Sequence, residues 1–92
     1  MNKNEVIGPI LAVSGNYAVV QLPSRNSPAA AIQGDSLKIL QETVKELTDC
    51  LAAGDLEEAR FPLNEIVTTI SEMVSTYEDA ARDLGFKLPY HS

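Results

Sequence analysis

The sequence predicts an α+β fold: a three-stranded antiparallel meander followed by an αα-hairpin packed on one face of it, in a single domain spanning 1–92. Three observations carry that expectation. Up to residue 33, apolar positions come in short runs separated by Gly, Pro, Ser and Asn, as in strands joined by turns. From Gly34 onward they recur at steps of three and four, the period of a helix. The single interruption of that helical pattern, at Gly54-Asp55, is so short that two helices joined there must run antiparallel.

The strands are expected within residues 6–33. Val6 to Val13 is apolar and contains Gly8-Pro9. A proline cannot donate to a ladder, which places this strand at an edge or a bulge. Ser14-Gly15-Asn16 has the length of a hairpin turn, and Tyr17 to Leu22 then sets Ala18, Val20 and Leu22 on one face, expected to meet the helices. Pro23 to Pro28 reads as a loop, and Ala29 to Ile32 as the third strand. Connections this short favour antiparallel neighbours over a βαβ unit.

The helices are expected within 35–53 and 55–84. Leu37, Leu40, Val44, Leu47 and Leu51 form one apolar stripe. Gly54 suits the left-handed residue that closes a helix, and Asp55 with Glu58 three residues later has capping-box spacing. The second stripe runs Leu56, Ala59, Leu63, Ile66, Ile70, Met73, Tyr77, Ala80 and Leu84, with Val67 and Val74 beside it, until Gly85. That breadth suits contact with both a helix and a sheet. Pro62 removes a hydrogen bond inside the second helix, so a kink or break is expected near 58–62. At ~1.5 Å per residue the helices would measure roughly 28 and 45 Å, leaving about 15 Å of apolar overhang. Overhang of that kind invites dimerisation.

Composition narrows the function. With 45% hydrophobic and 22% charged residues the chain is typical of a folded globular domain. No apolar run is long enough to span a membrane, and the first ten residues lack the basic and apolar regions of a signal peptide, so a cytoplasmic location is expected. The net charge is −6, distributed unevenly: Lys3, Glu5 and Arg25 leave residues 1–34 at +1, so residues 35–92 carry −7. Such a balance disfavours nucleic acid and anionic membrane, and suits a basic protein partner.

Catalysis and metal binding fail on their requirements. The letters Gly34-Asp35-Ser36-Leu37 spell the nucleophile block of GDSL hydrolases. A serine nucleophile needs an oriented base, however, and the one histidine is His91 beside the C-terminus, with Leu88 where those hydrolases have an aspartate. A better account is a helix start, with Asp35 capping the first turn and Ser36 at the first helical position. One His and one Cys cannot supply a zinc site, no phosphate-cradling glycine motif is present, and Cys50 reads as a small buried hydrophobe. No enzyme activity and no cofactor are expected.

Surface features remain. Glu58, Glu65, Glu72 and Asp79 recur every seven residues as an acidic ridge on the second helix, and Glu42, Glu46 and Asp49 form a shorter one on the first. They are either ordinary solvated faces or a docking surface for a basic partner, where complementary charge speeds encounter.

The run from Val19 to Leu40 also resembles an uncharacterised family of small bacterial proteins, whose shared core reads LPGR, then Phe-Pro-Gly, then a strand leading into IQGDSL and a helix. The matches are Leu22, Pro23, Arg25, Pro28, Ile32, Gln33, Gly34, Asp35, Ser36 and Leu37. Ser24, Ser27 and Ala29 stand where the pattern has Gly, Phe and Gly, which puts a tight turn and an aromatic anchor in question. The resemblance implies no activity. It draws attention to Arg25, Gln33, Asp35 and Ser36 as a junction in which Arg25 is expected either to tie the loop to Asp35 or to face a partner. Small acidic proteins without a cofactor are similar in character to immunity proteins, by analogy alone.

The leading expectation is thus a non-enzymatic protein-binding module, of the bacterial immunity or antitoxin kind, that occludes a basic toxin surface. The alternative is a structural or regulatory homodimer pairing its long helices. A GDSL-like hydrolase is a minor third.

Overall fold

The computed structural model describes residues 9–91. In chain order the elements are β1 (Ile10–Ser14), β2 (Tyr17–Val20), β3 (Ala29–Ile32), α1 (Gly34–Ala52) and α2 (Leu56–Leu84). The strands make one antiparallel sheet ordered β1-β2-β3, so the fold is the expected α+β meander followed by two helices. The described residues divide into two compact units, 33–72 and the remainder, 9–32 with 73–91.

In the sheet-bearing unit, β1 lies at the sheet edge. Its expected opening residues Val6, Ile7 and Gly8 lie outside the described residues. Pro9 directly precedes β1 and offers its carbonyl to the Gln21 N–H at 3.0 Å, while the register shifts between Ile10 and Ala12. The β1–β2 turn is Gly15-Asn16, with Gly15 at φ 60°, the sign that a two-residue turn with glycine first requires.

The second connection contains a turn visible in its hydrogen bonds. The Arg25 N–H donates to the Leu22 carbonyl at 3.4 Å, Pro23 takes the second position, and Ser24 takes the third at φ 63°. Pro followed by a residue of positive φ is the type II arrangement, which ordinarily calls for glycine at that third position. The Gln21 side chain closes the loop, its Nε2 donating to the carbonyls of Leu22 (3.1 Å) and Arg25 (2.9 Å).

The face of β2 that is covered differs from the expected one. Val19 is fully buried, whereas Ala18 and Val20 are half-buried. Gln21 and Leu22 fall beyond the strand end, so their polarity contrast, which favoured the opposite face, carries no weight in the sheet. Val19 packs with Tyr77 and Ala80 of α2, flanked by Leu11, Ala12, Phe86 and Leu88. The buried Tyr77 hydroxyl donates to the Pro28 carbonyl at 2.6 Å, fastening the start of β3 to the helix. Phe86 meets the Tyr77 ring edge-on at 5.5 Å and Tyr90 stacks on it at 6.4 Å. Tyr90 also donates to Glu78 at 2.9 Å. Burial raises the Tyr77 phenol above its ordinary pKa; burial and then the Glu78 carboxylate do the same to Tyr90. The segment after α2 is therefore held by aromatic contacts as far as Tyr90.

In the hairpin unit, α1 ends as the glycine predicted. Gly54 adopts φ 72°, its N–H donates to the Leu51 carbonyl at 3.1 Å, and the Asp55 N–H reaches the Cys50 carbonyl at 2.9 Å. Those paired bonds are a Schellman closure. Asp55 then caps α2, its carboxylate accepting the Glu58 N–H at 3.1 Å. One residue therefore completes α1 and begins α2. Of the kink or break expected near Pro62, the break does not occur: α2 is one helix of 29 residues with Pro62 inside it, and the Pro62 ring is among the most buried side chains. The lost hydrogen bond is offset by burial of an apolar ring.

Candidate functional site

The junction before α1 is built differently from the expectation. The helix begins at Gly34, with Gln33 as N-cap in an extended conformation, φ −62° and ψ 145°, and without a side-chain cap bond. Asp35 therefore lies inside the first turn, where its carboxylate accepts the N–H of Ser36 at 2.8 Å and complements the helix dipole. Ser36 is third in the helix and half-buried, rather than first. Arg25 is exposed and belongs to the sheet-bearing unit, whereas Asp35 belongs to the hairpin.

The hairpin distributes its apolar residues unexpectedly. Half-buried Leu40, Leu47 and Cys50, with buried Thr43, make the inward stripe of α1; buried Ala59 and Pro62, with half-buried Ile66 and Thr69, make that of α2. Thr43 tolerates burial because its hydroxyl donates back to the Ile39 carbonyl at 2.9 Å. Bulk stands on both flanks: Ile39 and Phe61, 61% and 65% exposed, lie on one, and two longer apolar rows lie on the other. Leu37, Val44 and Leu51, seven apart, are 52%, 44% and 54% exposed, and Leu56, Leu63 and Ile70, also seven apart, are 69%, 45% and 49% exposed. Val67 adds to the second row at 54%.

At ~100° per residue, both rows lie roughly 80–90° from the inward stripe in the same rotational sense. Antiparallel helices that rotate in the same sense from their shared contact project to the same side. The two rows therefore form one apolar face on one side of the hairpin. Its outer margins are Gln41 and Thr48 on α1 and Asn64 and Ser71 on α2, with Arg60 ion-paired to Glu57 at 3.7 Å.

The acidic residues take the other side. Glu42, Glu46 and Asp49 on α1, and Glu58, Glu65 and Glu72 on α2, are all exposed and rotated the opposite way from the inward stripe. Asp79 continues the ridge along α2 and pairs with Arg82 at 3.2 Å. The heptad spacing of these acids was legible in the sequence; the exposed apolar face was not, because its rows were read as part of the buried stripes.

Other chemistry is sparse. Cys50 is a half-buried free thiol, raised above its ordinary pKa by burial and by Asp55, Glu46, Glu58 and Asp49, so it is a poor nucleophile. Among the described residues no group of three His, Cys, Asp or Glu is arranged to hold a metal ion. No described helix is long and apolar enough to cross a membrane. In the sheet-bearing unit an open groove of about 330 Å³ runs between β1 and the Thr76–Leu84 part of α2.

No curated protein and no solved structure matches the chain. A family of unknown function, DUF6959, matches residues 1–90, in keeping with the resemblance to an uncharacterised family. With nearly the whole chain covered by that match, the protein belongs to the DUF6959 family.

Proposed function

We propose that the protein is a non-enzymatic protein-binding module that docks through its helical hairpin. The observation that carries this reading is the face formed by the rows Leu37-Val44-Leu51 and Leu56-Leu63-Ile70, whose large aliphatic side chains are 44–69% exposed. Scattered apolar residues on a surface need no explanation, but a contiguous patch rimmed by polar residues marks an interaction site. A pulldown comparing the wild-type chain with Val44→Glu/Leu63→Glu at low and high salt tests it. Loss of capture in the variant at every salt concentration supports docking through this face; capture that ignores the substitutions rejects it.

The opposite side favours a second reading, in which a basic protein is bound by Glu42, Glu46, Asp49, Glu58, Glu65 and Glu72 with Asp79, as an immunity or antitoxin protein would bind a basic toxin. Segregation of these acids on one side of the hairpin supports it. Capture of this kind weakens steeply with salt and is lost on Glu65→Lys. An acidic partner, or one indifferent to that reversal, excludes it.

A further inference from the structure

We infer that the apolar face of the hairpin is covered by a second copy of the same chain, giving a two-fold four-helix arrangement; this rests on the docking reading and names its partner. Three features select a copy over a foreign protein. The first is area. The seven aliphatic residues of the face expose on the order of 600 Å², close to the ~800 Å² per partner of a standard interface before rim atoms are included. One surface of the chain is thus large enough to meet its own kind.

The second feature is charge. A chain of net charge −6 repels its copies unless the acids point away from the contact. Here the acidic rows of both helices lie on the side opposite the apolar face, and Gln41, Thr48, Asn64 and Ser71 border that face. Two copies pairing apolar face to apolar face set no carboxylate rows against each other. A face without charge at its centre also offers nothing for a charged foreign partner to match, and homodimer interfaces are more apolar than those of non-obligate complexes.

The third feature is spacing. In an antiparallel hairpin closed at Gly54, Leu51 is level with Leu56, Val44 with Leu63, and Leu37 with Ile70. The rows are therefore symmetric about the Val44-Leu63 level. A dyad in the plane of the face, crossing the helices at that level, lays the Leu51-Leu56 level of one copy on the Leu37-Ile70 level of the other. The central level then meets itself. Such self-complementarity is the geometric condition for an isologous contact.

Sedimentation equilibrium of the full chain at tens of micromolar tests the inference, alongside Val44→Glu/Leu63→Glu and Glu65→Lys, with far-ultraviolet circular dichroism on each. The expected results are a wild-type dimer, a central-level variant with at least ~100-fold weaker association and unchanged helicity, and a Glu65→Lys protein that remains dimeric. A wild-type chain that stays monomeric, or a Val44→Glu/Leu63→Glu protein that stays dimeric, overturns the inference. If the wild type is monomeric and a foreign partner is still lost on Val44→Glu/Leu63→Glu, self-pairing is rejected while docking through the face stands. If that partner is retained too, both are rejected.

Discussion

The two units use apolar residues in opposite ways. The sheet-bearing unit has a bulky centre: Val19 and Tyr77 are buried, with Phe86 and Tyr90 against the Tyr77 ring, while Ile10, Val13 and Leu84 stay exposed at its margins. The hairpin buries Thr43, Ala59 and Pro62 and leaves Leu37, Val44, Leu51, Leu56, Leu63 and Ile70 substantially exposed. The contrast is sharpest in the aromatic rings: Tyr77 is buried at the centre of one unit, whereas Phe61 of the hairpin is 65% exposed. The difference teaches that apolar content and internal packing are separate quantities, and that a surplus of the first over the second marks an interface.

Substitutions sharpen the contrast. The largest effect is expected at Tyr77→Ala, which removes a buried ring and its aromatic neighbours' support and should cost roughly 3–5 kcal/mol in urea unfolding. Tyr77→Phe keeps the ring and loses only the bond to the Pro28 carbonyl, a cost of about 1–2 kcal/mol. Tyr77 also supplies an alkaline limit. Because its folded pKa is raised, the stability it contributes is fully present below the unfolded value of about 10 and is lost as pH rises through the folded one. Tyr77→Phe should flatten that part of the stability profile, with the raised Tyr90 keeping a smaller slope.

Smaller effects follow at the turns. Asp55→Ala removes the carboxylate that caps α2 and should lower stability by about 1 kcal/mol. Ser24→Gly should raise it by up to about 1 kcal/mol, since φ 63° strains a serine and suits a glycine; a destabilised Ser24→Gly protein would refute the type II assignment. The smallest change is expected where the exposed bulk lies: Val44→Glu/Leu63→Glu should shift monomer unfolding by less than about 0.5 kcal/mol per site. A loss near that of Tyr77→Ala would show that the face is internal packing after all.

Much of this fold was legible in the chain. Glycine at position 54 and Asp55 marked a helix end and a helix start, and the change of period at Gly34 separated sheet from helices. The parts that were not legible share a physical reason. A stripe stepping by three and four contains two half-rows, and nothing in Leu37, Leu40, Val44, Leu47 and Leu51 says which half faces inward. That depends on the neighbour, and burial falls on Thr43 in α1 and on Ala59 and Pro62 in α2. The last turns of α2 are divided in exposure: Tyr77 and Ala80 meet the sheet, while Val74 and Leu84 are 43% and 54% exposed. The covered face of β2 is hidden in the chain because the alternation runs on through Gln21 and Leu22, which lie past the strand. The positive φ of Ser24 is the type II turn's requirement, met here without a glycine.

The shared cap at Asp55 bears on how this chain tolerates changes in length. Exposed loop tips are ordinarily the places where insertions and deletions do least harm. Here the tip fixes phase: with Ala53 and Gly54 alone between the last residue of α1 and the cap of α2, adding or removing one residue while keeping both closures turns α2 by ~100° about its axis. Leu56, Leu63 and Ile70 would leave the side shared with Leu37, Val44 and Leu51, and the two rows would no longer form a single face. The most accessible connection in the hairpin is therefore the one whose length is least free to drift.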